Sequence, residues 1–164
     1  MKNIKFSKKE IKNKDLNNVV SVIRSGWLTH GKFTKLFEKK FSLFTKSKYC
    51  ISVSSCTAGL HLSCLAAGFS KGDEIIVPAM THTATAHAVE YTGAKAVFAD
   101  VEAISGNLNL DNIKKKINYK TKGIILVHMA GLPCNLKPIV DFCKKKKLTL
   151  LEDCAHALGT TYQN

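Results

Sequence analysis

Residues 72–100 read GDEIIVPAMTHTATAHAVEYTGAKAVFAD (Gly72–Asp100), and this stretch decides the fold. Glu74–Val77 carries an unbroken apolar run, closed by Pro78, and reads as a strand. Thr83–Tyr91 reads as a helix, with Gly93 just past it where a helix end favours glycine. Lys95–Ala99 is a second apolar run and ends in Asp100. A strand, a helix and a strand in that order join parallel neighbours, because a parallel pair needs a long crossover. Neither strand alternates apolar with polar residues, which fits a sheet covered on both faces.

The same rhythm extends outward. Upstream, Leu16, Val19, Val20 and Ile23 recur at helical spacing before Gly26, and Phe33, Leu36, Phe37, Phe41 and Phe44 mark one face of a second helix. Tyr49–Val53 reads as a short strand, followed by the polar break Ser54–Thr57, and a small-residue helix begins near Thr57 and runs to about Ala67, with Thr57 a good N-cap and Gly68 at its close. Downstream, Leu110–Ile117 is a helix, Gly123–Val127 a strand, Leu136–Lys147 a helix and Leu148–Leu151 a strand running into Glu152 and Asp153. The expected class is α/β, a mostly parallel sheet with helices on both faces. The expected division is a segment 1–30, holding the first helix and the SGWLTHG loop, followed by a large domain over 31–164 that is incomplete within these residues.

Composition narrows the function. An apolar content of 45% suits a globular core, and 164 residues are enough for one. The opening MKNIKFSKKE has no apolar stretch of the kind a signal peptide needs, and no run is long enough to span a bilayer. The expectation is a soluble cytoplasmic protein. Six cysteines form no CxxC pair, so neither a disulfide framework nor a zinc site is expected. The net charge is +13, but Arg24 is the one arginine, and readers of bases and phosphates favour arginine's bidentate fork. The lysines read as a solvated surface, and nucleic-acid binding is not expected.

In an open parallel sheet, ligands bind outside the carboxyl ends of the strands. The polar residues there carry the chemistry. Ser54-Ser55-Cys56-Thr57 lies between a strand and a helix, where free amides and positive potential suit a phosphate, although Thr57 also makes an ordinary cap. His82 follows a strand end, where its flat ring can stack on a planar group, although a lone histidine is more often a surface or core residue than a stacker. Asp153 follows the final strand, where a carboxylate can hold a cationic ring nitrogen, and His156 lies three residues on. Taken alone, this Asp reads as a turn cap. Together, a phosphate seat, a stacking ring and a carboxylate on one sheet edge ask for a planar, cationic, phosphorylated cofactor. Pyridoxal 5'-phosphate (PLP) has those properties.

The stretches SGWLTHG, SVSSCTAGLHL, GDEIIVPAMTHTATAHAVEYTGA, VFADVE, ILVHMAGLPCNL and LLEDCAHALG occur in the order and spacing of the DegT/DnrJ/StrS sugar aminotransferases, which the chain resembles from about Ser25 to Tyr162. The resemblance implies the fold-type-I PLP-dependent transferase architecture. It implies that Cys56 and Thr57 bind the cofactor phosphate through backbone amides and that His82 stacks on the ring. It further implies that Asp153 pairs with the ring nitrogen, that His156 contacts the ring hydroxyl, and that Thr29 lies near the amino-sugar substrate. The implied reaction moves an amino group from an amino acid, commonly glutamate, to a keto nucleotide-sugar, in a homodimer serving amino-sugar and polysaccharide synthesis.

Two departures stand out. Cys56 occupies a position where the family usually has glycine. The family's Schiff-base lysine lies beyond the aspartate–histidine segment, so no catalytic residue is expected among these 164. The alternatives are a sugar dehydratase of the same family, in which histidine replaces that lysine, and an inactive fragment that binds a partner or forms half of a split protein.

Overall fold

The computed structural model describes residues 10–163. The first nine residues of the expected 1–30 segment, and Asn164, lie outside them. The chain divides into two compact units, Met1–Ser52 and Val53–Asn164, so the second helix belongs with the first unit.

The first unit holds two helices, α1 (Asn13–Arg24) and α2 (Lys32–Thr45). Asp15 accepts the backbone amide of Lys12 at 2.9 Å, which ties down the start of α1. The loop between the helices is fixed by the Trp27 indole, which donates to the His30 carbonyl at 2.9 Å. Residues 49–53 form no strand, contrary to the sequence reading: Tyr49 and Ile51 are exposed, and the segment enters no ladder. The apolar pattern asks for burial, but a strand also needs a neighbour for its amides and carbonyls. Here Glu38 takes that place at Ser52, accepting both its amide and its hydroxyl.

The second unit is the α/β domain. Its elements are α3 (Cys56–Ala66), β1 (Glu74–Pro78), α4 (Thr83–Glu90), β2 (Lys95–Ala99), α5 (Leu110–Lys116), β3 (Thr121–Val127), α6 (Leu136–Lys146) and β4 (Thr149–Asp153). The four strands are all parallel, in the order β2-β1-β3-β4. Side chains alternate across each strand, so consecutive residues feed opposite cores. Ile75, Val77 and Ile125 pack with Leu60 and Cys64 of α3 and Ala88 and Val89 of α4. Ile76, Ile124 and Leu126 pack with Ile113 of α5 and Ile139 and Cys143 of α6. Both faces are covered, as the unbroken apolar runs imply.

Strand order positions the site. The chain leaves β1 for β2 on one side, then crosses back over to β3 on the other. Loops at the carboxyl ends of β1 and β3 therefore part at that reversal, which opens a crevice between them.

Candidate cofactor cleft

An open cleft of about 470 Å³ lies at this end of the sheet. Its walls include Cys56 and Thr57 from the start of α3, Met80 and His82 after β1, Val127 and Met129 after β3, and Asp153 and His156 at and after the end of β4. Five residues singled out from sequence (Cys56, Thr57, His82, Asp153 and His156) thus share one cavity. The sixth, Thr29, belongs to the first unit, where it lines a hollow with Trp27, Leu28 and His30.

The start of α3 is set by Ser55, whose hydroxyl accepts the Ala58 amide at 3.1 Å. The N-cap is therefore Ser55 and not Thr57, which sits two residues inside the helix. A hydroxyl at Ser55 reaches the third helical amide, the usual capping target, which leaves the first two. Those belong to Cys56 and Thr57, and no carbonyl lies a turn behind them. Cys56 is not among the residues with positive φ, so the change from glycine costs no backbone strain. Its thiol lies 3.7 Å from Asp153 Oδ1, and burial, followed by the charge and hydrogen bond of Asp153, pushes that thiol's pKa upward.

His82 caps α4 with its ring: Nδ1 accepts the Ala84 amide at 3.1 Å. The capping bond and the cleft-lining position coexist, because the cap uses one ring edge and leaves the faces free. Asp153 is only 6% exposed. Its Oδ1 accepts the Ala155 amide at 3.1 Å as well as the Cys56 thiol, and its Oδ2 accepts the Thr85 hydroxyl at 3.1 Å. Asp153 thus both caps the following turn and lines the cleft.

Sequence reasoning overlooked Thr85 and Asn107. Thr85 is fully buried on the face of α4 that also carries Ala84, Ala88 and Val89. A hydroxyl set in an otherwise apolar stripe was the available signal. Asn107 is 3% exposed, donates to the Leu132 carbonyl and accepts the Met129 amide, both at 2.9 Å. It thereby pins the loop after β3. In that loop Gly131 has φ +86°, and a Cβ there would stand 2.9 Å from the His156 carbonyl oxygen. Glycine lets the loop lie against the turn that carries His156.

On the opposite side of β4, His128, Glu152 and Cys154 bring ligand-type atoms within 4.8 Å of one another. His128 Nδ1 accepts the Cys134 amide at 3.1 Å, which puts the ring proton on Nε2, 2.9 Å from Glu152. A metal would need that nitrogen bare. Burial, and the charges of Glu152 and Asp153, raise the pKa of the Cys154 thiol, so it keeps its proton. The trio is a hydrogen-bonded pair with a thiol beside it.

The cleft's donor set suits a planar phosphorylated cation: two free amides, an aromatic ring, a buried carboxylate and apolar walls, in a volume usual for a small-molecule site. A doubly covered parallel sheet with that cleft at its switch point defines a cofactor-binding α/β domain. The chain belongs to the DegT/DnrJ/EryC1/StrS aminotransferase family, which it matches over residues 9–164. It is 37% identical over 164 residues to a GDP-perosamine synthase of Escherichia coli O157:H7, covering 99% of this chain and 45% of that protein. It is similar to the solved aminotransferase from Psychrobacter cryohalolentis, with TM-score 0.90 and 34% identity, covering 93% of this chain and 39% of that one. It is also similar to a GDP-4-keto-6-deoxymannose-3-dehydratase solved with a trapped PLP–glutamate geminal diamine, with TM-score 0.91 and 28% identity, covering 99% of this chain and 44% of that one. The chain thus spans less than half the length of these relatives. Among the described residues, no helix is long and apolar enough to cross a membrane.

Proposed function

We propose that this chain forms the cofactor seat of a cytoplasmic, homodimeric PLP-dependent aminotransferase, one that moves an amino group from an amino acid, with glutamate the expected donor, to a keto nucleotide-sugar for amino-sugar or polysaccharide synthesis. The observation that carries the reading is Asp153. It is a nearly fully buried carboxylate at the end of β4, and it lines a cleft shared with two free helix amides and a stackable ring. The similarity to GDP-perosamine synthase supports the substrate class.

Each residue has a part in this reading. The Cys56 and Thr57 amides take the phosphate, where the end of a helix favours negative charge. The His82 ring covers one face of the cofactor. Asp153 keeps the ring nitrogen protonated by holding the resulting cation. His156 meets the ring hydroxyl, and Thr29 the sugar. PLP bound there supplies the electron sink that weakens bonds at the amino-bearing carbon. Among the described residues no lysine lines the cleft, so in this reading the proton-shuttling amine comes from another segment or chain.

Similarity to the 3-dehydratase keeps a second reaction in view on the same seat. Isothermal titration of the chain with pyridoxamine phosphate tests the seat, and saturable one-to-one binding is the expected result. Turnover of a keto nucleotide-sugar with glutamate, by the chain supplemented with a lysine-bearing segment of the family, tests the reaction. Incorporation of the amino group into the sugar, with 2-oxoglutarate released, supports transamination; loss of the sugar's 3-hydroxyl without amine incorporation supports dehydration. No binding and no turnover would overturn the proposal.

A further inference from the structure

Asp153 does not meet the cleft as a free carboxylate. An ionised carboxylate offers about four lone-pair positions, two per oxygen. Oδ1 already receives the Ala155 amide and the Cys56 thiol, while Oδ2 receives only the Thr85 hydroxyl. One position stays open, and it is on Oδ2. Thr85 has a single proton, committed to Asp153 at 3.1 Å. The 2.9 Å contact between the Thr81 and Thr85 hydroxyls therefore runs one way, with Thr81 donating. The result is a directed chain, Thr81 to Thr85 to Asp153, whose middle member is fully buried and whose first member lines the cleft. Successive hydrogen bonds of one direction strengthen each other in a low-dielectric interior.

We infer that Thr85 is a positioning residue for the cofactor's cationic ring: its hydroxyl holds the Asp153 carboxylate so that Oδ2 keeps one lone pair for the ring N–H. The inference deepens the reading above and rests on it. Thr85 touches no ligand itself and acts through the carboxylate. Thr85 is one of the four buried residues of α4, with Ala84, Ala88 and Val89, and its hydroxyl is the polar part of that stripe. A serine keeps that task, and a valine of nearly equal shape removes it.

The test compares two probes on the chain itself: pyridoxamine phosphate, and its ring analogue with carbon in place of the pyridine nitrogen. Both carry phosphate and a flat ring, but only the first can donate to Oδ2. Thr85→Val is expected to weaken pyridoxamine phosphate about tenfold, the scale of a hydrogen bond to a charged group, and to leave the carbon analogue unchanged. Thr85→Ser is expected to bind both as the wild type does. Equal loss for both probes would overturn the inference in favour of a merely structural role, as would a Thr85→Val protein that binds pyridoxamine phosphate normally. Thr85→Ser losing as much as Thr85→Val would do the same. If Thr85→Val fails to fold, Thr81→Val at a half-buried position removes the first donor, and a loss confined to pyridoxamine phosphate is again required. Failure of the wild type to bind either probe would instead strike the cofactor reading itself.

Discussion

Glu152 and Asp153 are neighbours in the chain, yet they occupy two different regions of the molecule. The alternation of side chains along β4 sends them to opposite faces. Asp153 is buried at the cleft, with donors from α3, α4 and the following turn. Glu152 is 42% exposed at its side chain and holds a single buried histidine. The pair teaches that an acidic doublet at a strand end is two statements. One carboxylate is surrounded by donors that leave it a vacancy; the other completes a scaffold contact.

That contrast can be broken. Asp153→Ala is expected to lower pyridoxamine phosphate affinity by at least about a hundredfold, because it leaves the ring cation without its buried partner. Glu152→Ala should leave that affinity within a factor of about three, while costing about 1 kcal/mol of stability through the lost His128 bond. Equal binding losses in the two variants would erase the distinction. Calorimetric titration together with urea unfolding gives both quantities.

A second comparison, smaller in effect, concerns the scaffold side. His128→Ala removes the acceptor for the Cys134 amide and the donor to Glu152 together. A drop of about 2–3 kcal/mol in unfolding free energy is expected, since a buried amide loses its partner. The expected binding change is minor, because His128 does not line the cleft.

The thiols sharpen the contrast further. Burial raises Cys64, Cys134 and Cys143 to about 11 from an ordinary 9.0. A thiol whose pKa is higher in the fold than in the unfolded chain stabilises the fold fully below pH 9, and that contribution is lost as pH rises toward 11. The urea midpoint should therefore fall across that window. Within the cleft, Asp153 is one cause of the raised Cys56 pKa, so Asp153→Asn should speed alkylation of Cys56 at pH 8 a few-fold. The smallest expected effect is on Cys154, where Asp153 follows burial and Glu152 among the causes of the raised pKa, so the same substitution should change its alkylation rate less.

Much of this was legible in the sequence. Apolar runs ended by proline, an acid or a histidine gave β1 through β4, and Cys56, Thr57, His82, Asp153 and His156, singled out near strand ends, line one cleft. What escaped depended on partners distant in sequence. Tyr49–Val53 has a strand's composition without a ladder. The helix cap at Ser55 rather than Thr57 was a choice among adjacent hydroxyls that backbone geometry alone decides. Thr85 looked like part of an apolar helix face, because its acceptor lies 68 residues away. The trio of His128, Glu152 and Cys154 has no motif spacing, because its members come from two strand ends.

The ladder that places Asp153 has one more consequence, for the order in which the molecule is made. Val127 pairs with Asp153 at the end of the β3–β4 ladder, and the His128 amide reaches the Asp153 carbonyl at 3.3 Å. During synthesis the amides of α3 and the ring of His82 leave the ribosome some seventy to a hundred residues before that carboxylate. Parallel pairings over such separations close late, because the chain must first give up the freedom of the intervening loop. On the proposed reading, the nascent protein thus carries the helix amides of a phosphate seat without the carboxylate until β4 docks, and cofactor capture becomes a report that β4 is in place.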